Sequence, residues 1–176
     1  ANLFLVPLDD ERRWYRYHQL FADVLRRLLE RRSPERIADL HQRASRWHEQ
    51  AGFIQEAIQH ALLAGDGDRA VQLIEQNGCG FLMRGEVVNL LRLIEAVDRY
   101  RESHVWLGVL KSLALTLTGR LEPAEQALQT AERLLPLPAT TVEARTVVGS
   151  ISAARALRAN REGEPLLAAA HAQRAL

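Results

Sequence analysis

The chain has 176 residues, 47% of them hydrophobic, which is enough for the core of one domain or of a short array of helical pairs. Its 23 Lys and Arg against 22 Asp and Glu leave no overall excess of positive charge that would indicate binding to nucleic acid or anionic membranes. The single cysteine, Cys79, excludes an internal disulfide, and no signal peptide or long apolar stretch is present, so we expect a cytoplasmic location and no membrane contact. The chain starts without methionine and stops within an alanine-rich pattern, which suggests a piece of a longer protein.

Two short strands are predicted at 3–8 and 14–18, on either side of the polar turn 9–13. A helix is predicted from about His18 to about Arg32, because one face of it is apolar. That face consists of Leu20, Phe21, Val24, Leu25, Leu28 and Leu29. His18 is therefore expected at the junction of strand and helix, where a side chain can contact a group bound in front of it.

A second helix is expected to begin at Ser33 and Pro34, with Ser33 as N-cap and Pro34 at the first helical position. Apolar and semi-apolar residues continue it at intervals of three and four to about Gly52. From there the chain repeats a Gly-x4-Ala pattern, which occurs at 52/57, 65/70, 119/124 and 163/168.

The clearest repeat lies at 119–136, where a glycine ends one helix, Pro123 stands in the first turn of the next and Pro136 closes it. This order resembles the tetratricopeptide repeat, and Gly65 and Gly85 begin degenerate copies of the same turn. We therefore predict an all-α fold, in which an irregular tetratricopeptide-like superhelix of helical pairs, an α-solenoid of eight or nine helices, follows a short N-terminal β-hairpin. Such folds bind partners more often than they catalyse reactions.

No catalytic residue and no metal site are predicted. His41 and His48 lie seven residues apart on one helix face, but no cysteine or carboxylate completes a ligand set, so packing between helices is the expected role. The motifs of zinc proteases, P-loop proteins and serine hydrolases do not occur. Cys79 is predicted to lie in a glycine-flanked linker at 77–80, with no base beside it.

Four arginines are expected on the polar side of the first helix: Arg26, Arg27, Arg31 and Arg32. They form either a solvated face balanced by nearby carboxylates or an interface with another domain or an acidic partner. No helix in the sequence has the pattern of a DNA recognition helix.

Residues 2–9 and 13–23 resemble the end of the winged-helix domain in MalT-like regulators, the large ATP-dependent members of the LuxR family. Residues 40–47 and 56–66 are similar to the start of the helical-repeat region of that family. The resemblance covers about residues 2 to 75. It implies that residues 1–32 are the C-terminal part of a winged-helix domain and that residues 33–176 form a tetratricopeptide-like region that binds an effector or a partner.

The resemblance also implies a signal-transduction ATPase of the STAND class, with its nucleotide-binding and helix-turn-helix DNA-binding domains outside this chain. In such a switch ADP favours a closed monomer, whereas ATP and inducer favour a self-associating form that activates transcription. Residues 17–21 align with a Met-His-Asp-like motif, so His18 is implied to sense the phosphates of bound ADP, although Gln19 replaces the aspartate. The alternative role of His18 is that of a buried structural histidine. The expected interdomain contacts are Trp14, Tyr15, Arg16, Tyr17, Arg26 and Arg27.

These expectations describe a non-catalytic sensor fragment of a transcriptional activator, with no cofactor of its own and with ATP or ADP bound by the full-length protein. Its expected partners are other domains of the same protein, a small molecule or protein in the superhelix groove, and further copies after activation, with DNA bound only through a domain outside the chain. The first alternative is a stand-alone tetratricopeptide scaffold for a peptide or protein. The second is an enzyme or metalloprotein within the helical array.

Overall fold

A computed structural model describes residues 4–11, 13, 15–98, 100, 104–135 and 142–175. Within these ranges the chain forms two short strands followed by nine helices, which agrees with the predicted all-α fold and its N-terminal hairpin. The elements are β1 (Leu5–Pro7), β2 (Tyr15–Tyr17), α1 (Gln19–Arg32), α2 (Glu35–Gln50), α3 (Ile54–Leu63), α4 (Gly67–Met83), α5 (Val87–Ala96), α6 (Val105–Leu117), α7 (Leu121–Leu134), α8 (Val142–Glu162) and α9 (Pro165–Ala175).

The predicted hairpin is present, with strands shorter than expected. β1 and β2 are antiparallel, and Val6 is paired with Arg16 at the centre of the register. The next helix begins at once, and α2 begins at Glu35, one residue later than predicted, directly after Pro34. The carbonyl of Ser33 accepts the N–H of Arg36 at 3.0 Å, so Ser33 contributes to the first turn of α2 through its backbone.

Five of the connections between helices use the same turn. Each contains a glycine with φ between 73° and 81°, a left-handed conformation that side chains other than glycine rarely adopt. The glycine N–H donates to the carbonyl three residues earlier, and the following N–H donates to the carbonyl five residues earlier, which is the Schellman arrangement. The five glycines are Gly52, Gly65, Gly85, Gly119 and Gly163.

The same turn explains the repeated Gly-x4-Ala pattern. The residue five positions after the glycine donates its N–H to the carbonyl of the residue that follows the glycine, so it lies in the first turn of the next helix. Ala57, Ala70 and Ala124 are fully buried at this position, and Leu90 occupies it after Gly85. In α3, α4, α5 and α7 the small or apolar residue at this position is thus the first fully buried side chain of the helix.

The helices pack mainly against their neighbours in sequence, and α6 also contacts both α4 and α8. This order of contacts is that of stacked helical hairpins. One core cluster extends from α3 to α7 around Ile58, Ile74 and Leu90, and a second joins α6, α7 and α8 around Leu128 and Ile151. Because α6 contributes to both clusters, it connects the two halves of the array.

Helical glycines allow two of these contacts to be very close. A Cβ atom at Gly108 would lie 2.9 Å from Cβ of Ala131, and one at Gly78 would lie 2.5 Å from Cδ1 of Leu110. Residues 77–80 therefore do not form the predicted linker but lie inside α4, with Cys79 exposed. The prediction was wrong because the glycine here serves helix packing, which local sequence does not reveal.

Polar contacts reinforce the two ends of the array. The hydroxyl of Ser45 donates to the carbonyl of Ala57 at 2.8 Å and accepts Nε of Arg69, whose Nη2 donates to Glu49 at 2.6 Å. Arg155 of α8 binds Glu125 and Glu132 of α7, and these hydrogen bonds raise the pKa of its guanidinium, chiefly through Glu132. Among the helices that the structure describes, none combines the length and apolar composition needed to cross a bilayer.

Candidate functional site

His18 occupies the predicted junction between strand and helix. It is the residue before α1, its N–H donates to the carbonyl of Phe4 at 2.8 Å, and its carbonyl accepts the N–H of Ala22 at 3.0 Å. The backbone of His18 thus connects β1 to the first turn of α1. Its side chain is exposed, which disagrees with the alternative of a buried structural histidine.

A cleft of about 660 Å³, with both polar and apolar residues in its wall, lies in front of this junction. Arg16 and Arg26 contribute cationic groups to its wall beside the imidazole of His18, and Arg26 donates to the carboxylate of Asp23 at 2.9 Å. The wall consists of Val6, Arg16, Tyr17, His18, Gln19, Leu20, Ala22, Asp23 and Arg26.

The beginning of α1 is open to an anion. No side chain caps it and its first turn carries no acidic residue, so its free N–H groups point outward without an intrahelical acceptor. An uncapped helix N-terminus attracts negative charge, and phosphate oxygens are frequent ligands there. Together with Arg16, His18 and Arg26, the cleft has the donor set that a phosphate group requires.

An apolar pocket of about 350 Å³ adjoins the cleft and shares His18 with it. Its wall includes Phe4 and Phe21, whose rings are stacked with their centroids 4.4 Å apart. Tyr17 meets Phe21 edge to face at 5.5 Å, so the aromatic residues fix the hairpin against α1. His18 therefore borders both the cleft and the apolar pocket.

α1 itself leaves its apolar face uncovered. It contributes no buried residue, and Leu20 and Val24 are 72% and 52% exposed. An amphipathic helix of this kind ordinarily buries such a face, so the exposed stripe indicates a surface that contacts another part of a protein.

The structure brings some of the predicted interface residues together. Arg16, Tyr17 and Arg26 line the cleft with His18, whereas Tyr15 is half exposed on the hairpin and Arg27 is exposed on α1 outside the cleft. Trp14 lies outside the described residues.

A histidine cluster is present that the sequence did not predict as a unit. His41 and His48 of α2 meet His60 of α3, and the ring centroid of His60 is 5.0 Å from that of His41 and 5.1 Å from that of His48. His60 was missed because it lies on the next helix, although the predicted hairpin about Gly52 was a signal that α2 and α3 run side by side. Among the described residues, no group of three or more His, Cys, Asp or Glu has the arrangement of a metal site.

Residues 1–37 match the family described as the MalT winged helix domain. The serine/threonine-protein kinase PknK of Mycobacterium tuberculosis (strain ATCC 25618 / H37Rv) is 37% identical over 139 residues, which are 74% of this chain and 12% of the kinase. The HTH-type transcriptional regulator MalT of Vibrio parahaemolyticus is 31% identical over 132 residues, 74% of this chain and 15% of the regulator. MalT of Vibrio campbellii is 33% identical over 113 residues, 63% of this chain and 12% of the regulator.

No solved structure matches the chain. The chain spans only 12% to 15% of the length of these relatives, so it corresponds to one segment of much larger proteins. The winged-helix match ends in α2, five residues beyond the boundary predicted at Arg32. The chain is similar to one segment of MalT-like regulators, and its first 37 residues match the family described as the MalT winged helix domain.

Proposed function

We propose that this chain is a non-catalytic junction and sensor segment of a nucleotide-dependent transcription regulator. The hairpin and α1 would face a nucleotide held by another domain, and the helical array would bind an effector or partner whose signal reaches that nucleotide. The observation that carries the proposal is the cleft of about 660 Å³, whose wall includes His18 and Arg16 beside the uncapped N-terminus of α1 and Arg26 about two turns further along that helix. DNA binding, self-association and the cytoplasmic location stay predictions about the whole protein.

The cleft suits the phosphates of ADP on chemical grounds. A phosphate group accepts charge-assisted hydrogen bonds from guanidinium and imidazolium groups and from free backbone N–H groups. The carboxylate of Asp23 forms an exposed ion pair with Arg26. A phosphate group would therefore compete with Asp23 for this guanidinium. The proposed role is to sense bound nucleotide rather than to hydrolyse it.

The relatives support a regulatory segment rather than a catalytic one. Similar segments occur in a protein named as a kinase and in proteins named as transcriptional regulators, and they make up only 12% to 15% of each. A segment shared by proteins with such different names fits a role that is common to both, such as sensing or coupling. A tetratricopeptide-like array would supply the binding surface for that role.

The first test is His18→Ala in the full-length protein, with ADP affinity measured by calorimetry. Loss of a hydrogen bond to a charged group costs about 1.5 to 3 kcal/mol, so we expect ADP to bind roughly 10-fold to 100-fold more weakly. His171→Ala on α9 is the matched control, because it removes a histidine outside the cleft. Unchanged ADP affinity in His18→Ala would contradict the phosphate-sensing role.

A stand-alone tetratricopeptide scaffold is the second candidate, favoured by the five repeated Schellman turns. The two candidates differ in what surrounds the segment in the gene. A nucleotide-binding sequence upstream and a helix-turn-helix downstream are required by the first candidate and not by the second.

A further inference from the structure

We propose that His41, His48 and His60 form a proton-operated latch, in which neutral rings hold α2 against α3 and protonation under mildly acidic conditions loosens this contact. The latch does not depend on the nucleotide role proposed for His18. It is carried by two contacts between imidazole rings, in both of which His60 takes part, and by the charged groups around His60.

The first contact requires a neutral ring. Nδ1 of His41 and Nδ1 of His60 are 2.8 Å apart, so one nitrogen donates a proton and the other accepts it. The two rings must therefore be in different tautomers, or share one added proton. When both rings of the pair are protonated, no acceptor nitrogen remains, and two positively charged N–H groups face each other. The hydrogen bond between α2 and α3 is then lost.

The second contact extends the cluster. His48 stacks on His60 with an angle of 12° between the ring planes, so charges on both rings would repel at a centroid distance of 5.1 Å. Nδ1 of His48 is buried and has no hydrogen-bond partner in the described part of the chain. A protonated His48 would carry a buried charged N–H without an acceptor, which is costly.

The surrounding charged groups compensate only part of this cost. On α3, Glu56 favours protonation of His60. On α2 and α4, Glu49 and Arg69 are bound to each other at 2.6 Å, so neither is free to balance a histidine charge. Glu56 is thus the carboxylate that opposes the lowering of the pKa of His60, and it offsets the other causes only in part.

The direction of the pH effect follows from His60. Burial, and then the charges of His41 and His48, lower its pKa below the usual 6.5. The unfolded chain consequently binds more protons than the folded chain below about pH 6.5. The stabilising contribution of the cluster is present above that pH and is lost as the pH falls below it.

The latch lies in the first helical pair after the winged-helix match. Only Ser33 and Pro34 separate α1 from α2, which begins at Glu35. The contacts of Arg69 with Ser45 and Glu49 connect α2 to α4. If α2 loosens from α3, the position of the helical array relative to α1 changes. Acidification would in this way affect the hairpin and its cleft.

The test compares the folding equilibrium of the full 176-residue chain with that of His60→Gln at pH 7.5 and pH 5.5. Glutamine can still hydrogen-bond to His41 but does not titrate. We expect the folding constant of the unsubstituted chain to fall about tenfold more over this range than that of the variant. His171→Gln on α9 is the matched control and should keep the response of the unsubstituted chain. The same fall in His60→Gln would overturn the proposal.

A second measurement needs no variant. Titration of the His60 ring of the unsubstituted chain by NMR should give a midpoint below that of the unfolded chain, because burial and the neighbouring imidazoles lower its pKa. A His60 midpoint equal to that of the unfolded chain would overturn the latch.

Discussion

At the scale of single residues, Gly108 lies where α6 and α7 cross with their backbones close together. A Cβ atom there would be 2.9 Å from Cβ of Ala131 and 3.2 Å from the carbonyl oxygen of Ala127. One of these atoms is a backbone oxygen and the other is a Cβ bonded directly to the backbone, so neither can move unless the two helices separate. Gly80 of α4 differs, since its Cβ would meet only the end of the Arg84 side chain, at 3.1 Å.

We expect Gly108→Ala to lower the free energy of unfolding by about 1 to 2 kcal/mol, because the cost of overpacking exceeds the gain in helix propensity. Gly80→Ala is the matched control and should leave stability unchanged or raise it by up to about 1 kcal/mol. Urea denaturation followed by circular dichroism measures both. Equal stability of the two variants would mean that α6 and α7 do not approach as described.

The prediction for residues 77–80 was wrong for a related reason. Glycine in sequence favours a turn, but a helix accepts it where a neighbouring side chain fills the missing volume, as Leu110 does at Gly78. The choice between turn and helix depended on a residue 32 positions away.

At the scale of elements, the repeated turn sets the direction of each helical pair. The left-handed glycine ends one helix and the next begins within two residues, so little freedom remains in the angle between them. At Gly119, between α6 and α7, nothing lies within 4 Å of an added Cβ, so a substitution there tests the backbone conformation alone.

Gly119→Ala should cost about 1 to 2 kcal/mol of folding stability, since a Cβ is strained at a φ of 78°. Gly119→Asn should cost less, because asparagine tolerates the left-handed region better than alanine. Thermal unfolding of both variants measures the difference. An alanine variant no less stable than the asparagine variant would contradict the conformation of this turn.

At the scale of the whole molecule, burial is concentrated in the middle of the array. α4 contributes seven buried residues, whereas α1 and α9 contribute none. Local stability follows such differences, because a helix without buried side chains can open without disturbing the core.

Hydrogen exchange of the intact chain should therefore be fastest in α1 and α9 and slowest in α4 and α6, which contribute seven and eight buried residues. Mass spectrometry after exchange in deuterated buffer measures this order. Protection of α1 equal to that of α4 would mean that its apolar face is covered within this chain.

Much of the fold was predictable because its causes are local. The hairpin, the long helices and the turns at the four Gly-x4-Ala sites follow from hydrophobic spacing, from glycine conformation and from proline placement. The structure confirms all of them. The position of His18 at the strand-to-helix junction was predictable for the same reason. Its cleft was not, since the cleft depends on Arg16 and Arg26 approaching from different elements.

The sequence by itself determined the helical pairs, the hairpin and the MalT-like character of the first residues, because each depends on neighbours within a few positions. Only the tertiary structure decided that α6 joins two core clusters, that the apolar face of α1 is uncovered and that three histidines meet between α2 and α3. These features depend on contacts between residues far apart in the chain, and one sequence does not specify which surfaces approach each other.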